Sequence, residues 1–76
     1  MSMERIKLLL KQKYSLVHVP PERKVLKWRE SVEQLLKDGQ TMEQAGMTAA
    51  KKVFPYEYRE YRVHEGKKVD AILSLF

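Results

Sequence analysis

The sequence predicts an all-α fold, a compact bundle of four or five short helices around a single small core. Three observations carry this expectation. Apolar residues recur at intervals of three and four along most of the chain, which lays continuous stripes on helices. Start and stop signals bracket those stripes: a capping box at Thr41 and a Lys37-Asp38-Gly39 stop. The one β-branched stretch, Val17-His18-Val19, runs into Pro20-Pro21 and has no second strand to pair with.

The first helix is expected over residues 2–14. Met3, Ile6, Leu10 and Tyr14 share one face, Glu4, Lys7 and Lys11 lie opposite, and Ser2 is placed to cap the first turn. Residues 15–20 read as a connector. Pro21 then opens the clearest helix, residues 21–38, because proline's missing N–H has no partner in a first turn anyway. Val25, Trp28, Val32, Leu35 and Leu36 form its apolar face, with Lys27, Glu30, Gln34 and Lys37 on the other side.

Thr41 and Gln44 make the capping box of a third helix, residues 42–54, which Pro55 must end. Gly46 in its middle costs about 1 kcal/mol relative to Ala. Either a neighbouring element approaches closely there, or the segment is two turns with a second cap at Thr48. Residues 55–62 are expected to form a short helix and His64-Glu65-Gly66-Lys67 a turn. Val69, Ile72, Leu73 and Phe76 then repeat the helical spacing, so the last helix should dock on the core. The expected core is Ile6, Leu10, Val25, Trp28, Val32, Leu35, Leu36, Val53, Phe54, Ile72, Leu73 and Phe76.

With 76 residues, the chain is expected to be a single helical domain over 1–76, whether alone or as a fragment of a longer protein. A chain of this size buries only about 60% of its unfolded surface. It has no Cys, which excludes nucleophilic thiols, thiolate metal sites and disulfides. Its longest apolar run is Leu8-Leu9-Leu10, far short of a membrane span or a secretory signal core. An intracellular, cytoplasmic or else nuclear, location is the expectation from these features.

Catalysis finds little support. His18 and His64 have no His or carboxylate partner at helical spacing and are expected to be ordinary structural or surface residues, with no metal site. No Ser stands in a G-x-S-x-G turn, and Gly39, Gly46 and Gly66 belong to no phosphate-cradling loop. The chain is therefore expected not to be an enzyme and to need no cofactor.

Charge carries the functional expectation. The overall charge is +5, yet residues 1–29 hold eight basic and two acidic side chains while residues 30–76 are net −1. Such a one-sided field calls for an anionic partner. The first reading is a non-enzymatic protein–protein interaction module whose basic N-terminal half meets an acidic protein surface. Arg23, Lys24 and Lys27 are its leading residues, joined by Lys7, Lys11 and Lys13 if the first two helices pair. The alternative is a small nucleic-acid-binding helical domain that contacts phosphates through the same groups. Tyr58, Arg59, Tyr61 and Arg62 would add an aromatic and basic contact suited to unpaired bases, against a competing reading in which the tyrosines of this segment pack at the core boundary.

A standard helix-turn-helix around Gly46-Met47-Thr48 is disfavoured. Its first helix would be too short, and Pro55 falls where the recognition helix should continue. Membrane binding through the first helix is disfavoured too, since the core needs that stripe. A homodimer follows if the Met3–Tyr14 or Val69–Phe76 stripe is too large for one core to cover.

Overall fold

The computed structural model describes residues 3–59 and 67–76, and contains four α-helices: α1 Met3–Tyr14, α2 Glu22–Lys37, α3 Met42–Val53 and α4 Val69–Leu73. No strand occurs among the described residues, and the protein is a small all-α bundle. The α2–α3 pair forms its centre, with α1 against α2 and α4 against α3.

The helix ends follow from local chemistry. Glycine supplies the left-handed residue that closes α2: Gly39 has φ 96°, and Gln40 N–H and Gly39 N–H donate to the Leu35 and Leu36 carbonyls. The same closure ends α1 without glycine. Ser15 takes φ 50°, Leu16 N–H donates to the Lys11 carbonyl at 3.0 Å, and the Leu16 side chain turns into the core. Thr41 and Gln44 form the expected capping box at the start of α3.

Gly46 is explained by close approach. Helix α3 runs through it unbroken, and a methyl group there would lie 2.5 Å from Val69 Cγ2 and 2.6 Å from the Tyr14 hydroxyl. Its carbonyl accepts a 3.1 Å hydrogen bond from the Trp28 indole N–H, which is buried. Ala45, Ala49 and Ala50 continue this small, fully buried face, so α2 can approach the α3 backbone closely.

Tyr14, Trp28 and Tyr58 form an aromatic cluster, with ring centroids 6.3 Å apart for Tyr14–Trp28 and 5.9 Å for Tyr14–Tyr58. Around it lie Ile6, Leu10, Leu16, Val25, Val32, Phe54, Val69 and Ile72, all buried. Five residues expected in the core, Leu35, Leu36, Val53, Leu73 and Phe76, are only half-buried at its margin. They lie in the last turns of α2 and α3 and in the last residues of the chain, where a small bundle has no further layer to cover them. Phe76 nevertheless docks on α2, its ring 5.0 Å from the Arg29 guanidinium carbon. In the Met3–Tyr14 stripe Ile6, Leu10 and Tyr14 are buried within the chain, and in the Val69–Phe76 stripe Val69 and Ile72, while Met3, Leu73 and Phe76 are half-buried.

One element differs from expectation. Residues 55–59 do not begin a helix. They form a single turn in which Glu57 and Tyr58 N–H donate to the Phe54 carbonyl. Pro55 offers no N–H, and the Tyr58 ring swings inward onto Tyr14 instead of following a helical path. The Glu57 carboxylate accepts from His18 N–H at 3.0 Å and so ties this turn to the α1–α2 connector. Ser2, the rest of the expected 55–62 helix, and the turn residues His64 to Gly66 lie outside the described residues.

Candidate binding surface

The six lysines and arginines singled out by charge do not form one patch. Two line each of two clefts, Lys7 lies on the flank of α1, and Arg23 is exposed at the start of α2.

Lys24 and Lys27 lie one turn apart on α2, with Ser31 one turn further along. The packing of α2 on α3 brings Lys52, Val53 and Pro55 alongside them, and these residues with Glu30 line a groove of about 380 Å³. Lys52 comes from a helix 25 positions later in the chain than Lys27. Arg23 is exposed beside Lys24 on the first turn of α2. Arg23, Lys24, Lys27 and Lys52 have no ion-pair partner among the described residues. Next to Pro55, Tyr56 is 88% exposed, the most exposed large hydrophobic side chain of those described.

The second cleft, of about 520 Å³, is lined by Leu9, Lys11, Gln12, Lys13, Ser15, Leu16 and Lys67. Here the structure corrects the sequence reading. Lys13 is only 3% exposed, and its ammonium has two oxygen partners within the fold. It lies 2.9 Å from Glu43 Oε1 and donates a 2.8 Å hydrogen bond to the Lys67 carbonyl. The other Glu43 oxygen accepts 2.7 Å from Val69 N–H, so one carboxylate neutralises a buried cation and caps α4. Partial burial alone would raise the Glu43 carboxyl. The Val69 N–H, the Lys13 ammonium and the Lys68 charge more than reverse that and hold it below its ordinary value. The signal was present in the spacing: Lys13 is seven residues after Ile6 and three after Leu10, on the buried face of α1. Its residue type concealed it.

Lys7 is half-buried, with its ammonium 3.7 Å from the exposed Glu4 carboxylate one turn back. Lys11 is half-buried at the wall of the second cleft.

The aromatic and basic contact is likewise rearranged. Tyr58 is 6% exposed and belongs to the core, while Arg59 is exposed and donates 2.7 Å to the Tyr58 carbonyl. Tyr61 and Arg62 lie outside the described residues. Tyr56, which boundary packing would have half-covered, is instead the one tyrosine left in solvent among the described residues.

Burial, then the nearby Glu43 and Tyr58, push the Tyr14 phenol above its ordinary value, with the Trp28 indole acting in the opposite sense. It stays neutral as a core residue. Among the described residues, no three His, Asp or Glu side chains converge as a metal site requires, and no helix is long and apolar enough to cross a membrane. No protein-family model, curated protein or solved structure matches this chain.

Proposed function

We propose that this protein is a non-enzymatic interaction module whose α2 face meets an acidic protein surface. The observation that supports the reading best is the groove of Lys24, Lys27 and Lys52 beside exposed Arg23, four cations that form no salt bridge among the described residues. Cations left in this state cost the folded protein little and are available to steer and orient an anionic partner. Lys13 has no part in this surface, since its charge is already spent inside the fold. Lys7 and Lys11 contribute to the field around α1 without entering the groove.

The test is charge reversal. The Arg23→Glu, Lys24→Glu, Lys27→Glu triple variant should lose binding to a fluorescein-labelled, Glu/Asp-rich peptide while its unfolding free energy stays within about 1 kcal/mol of wild type. An unchanged affinity contradicts the proposal. The nucleic-acid alternative draws on the same cations and on Tyr56, whose exposed ring offers a stacking face. A twelve-nucleotide oligothymidylate bound more tightly than the peptide, with a log–log salt slope of about −4 or steeper, would favour it.

A further inference from the structure

We infer that the groove between α2 and the end of α3 seats a short acidic peptide segment carrying an aromatic or aliphatic side chain, with Lys52 and Tyr56 completing the site. This inference rests on the proposed function and specifies the partner's chemistry.

Charge complementarity is local. Lys24, Lys27 and Lys52 approach one groove from two helices, and the Ser31 hydroxyl adds a hydrogen-bonding group at its wall. The same wall carries Glu30, one turn beyond Lys27 on α2. A long polyanion laid along α2 would leave the three lysines and run into this carboxylate. A segment with two or three carboxylates matches the cationic stretch and stops short of it. The volume of about 380 Å³ suits a few side chains and not the flank of a duplex.

An apolar strip adjoins the cations. Val53 and Pro55 line the groove, and Tyr56 follows at 88% exposure. The other two described tyrosines, Tyr14 and Tyr58, are both buried. A tyrosine next in the chain to Pro55 of a cationic groove offers a rigid, amphipathic contact of the kind enriched where protein interfaces concentrate their binding energy. A partner side chain covering it would remove apolar surface from water on both molecules. Its ring also lets the site distinguish an acidic segment with an apolar residue from one without.

The experiment is fluorescence polarisation with three probes: a ten-residue Glu/Asp-rich peptide with one central Phe, the same peptide with Ser in place of Phe, and a twelve-nucleotide oligothymidylate. Wild type should bind the Phe peptide more tightly than the Ser peptide. Lys52→Glu and Tyr56→Ser should each weaken the Phe peptide about fivefold or more, a modest interface effect. Tyr56→Ser should also erase the preference for Phe over Ser. Arg5→Glu makes the same charge change as Lys52→Glu on exposed α1 and should leave affinity unchanged. Melting temperatures of Lys52→Glu, Tyr56→Ser and Arg5→Glu should match wild type, since these side chains are exposed.

Four results overturn the inference. If Lys52→Glu and Tyr56→Ser bind as wild type while the α2 triple variant does not, this seat is wrong but the proposed function stands. If the triple variant also binds as wild type, or wild type binds neither peptide below about 1 mM, both fail. Tighter binding of the oligothymidylate assigns the groove to nucleic acid and removes both.

Discussion

The Lys13 corner and the Lys24–Lys27–Lys52 groove place the same side chain in opposite circumstances. At the corner, one lysine is buried, held by Glu43 and the Lys67 carbonyl, and joins α1 to α3 and to the start of α4. At the groove, three lysines form no salt bridge among the described residues. The corner spends its electrostatics on folding. The groove keeps its electrostatics for a partner. A count of the eight basic side chains in residues 1–29 treats both alike, so it overstates what is available for binding by including Lys13, which is neutralised by Glu43 from outside that stretch.

Substitutions at the corner should break this contrast most sharply, and unequally. Glu43→Gln leaves the Lys13 ammonium buried without a counter-charge, and we expect a loss of about 2–4 kcal/mol, below the usual value for a broken buried pair because Glu43 is partly solvated. Lys13→Met leaves a carboxylate whose side chain is 43% exposed and can hydrate, so about 1–2 kcal/mol is expected. Urea denaturation of the two variants measures the asymmetry; equal losses would mean that the pair does not depend on which partner is buried.

The pH dependence shares this origin. Glu43 is held below its ordinary value of 4.5 in the folded state, so its contribution is fully present above that value and declines as pH falls through the depressed folded value. The stability gap between wild type and Glu43→Gln should therefore be constant near neutral pH and shrink in acid below about pH 4.5. A gap that widened on acidification would reverse the assignment.

Gly46 tests how tightly the side of α3 facing Tyr14 and Val69 is packed, with Gly39 as the uncrowded comparison. Gly46→Ala drives a methyl group into Val69 and the Tyr14 hydroxyl, and overpacking of this kind costs about 1–3 kcal/mol. Gly39→Ala meets no atom within 4 Å and loses only the freedom to hold φ 96°, about 1 kcal/mol. Thermal unfolding of the pair should rank Gly46→Ala as the more damaging.

The groove should yield the smallest stability change. Reversing Arg23, Lys24 and Lys27 puts carboxylates into the first turns of α2, where the helix dipole favours negative charge. The triple variant is expected to be as stable as wild type, or more stable by up to about 1 kcal/mol. A loss of 2 kcal/mol or more would show that these cations belong to the fold.

Helices α1, α2 and α3 were legible in the sequence because their signals are local: apolar spacing, the Thr41–Gln44 box and the Gly39 stop. The groove was half legible. Lys24 and Lys27 are neighbours on one helix, but Lys52 joins them only through the packing of α2 on α3, which no local pattern encodes. Tyr56 and Tyr58 are two residues apart and have opposite fates. The turn after Pro55 decides which ring reaches Tyr14, and alternation in sequence is silent about that direction. Lys13 is a different kind of miss. Its position on the buried face was readable, but a lysine is placed at the surface by habit, and only Glu43 on another helix makes its burial tolerable.

The most direct test of the division between corner and groove is one polarisation titration of the labelled acidic Phe peptide, run on wild type, the α2 triple variant and Lys13→Met, each with its melting curve. The triple variant should lose the peptide and keep its melting temperature, while Lys13→Met, at temperatures where it is folded, should melt earlier and bind with wild-type affinity. Loss of binding by folded Lys13→Met, with binding retained by the triple variant, would contradict the account.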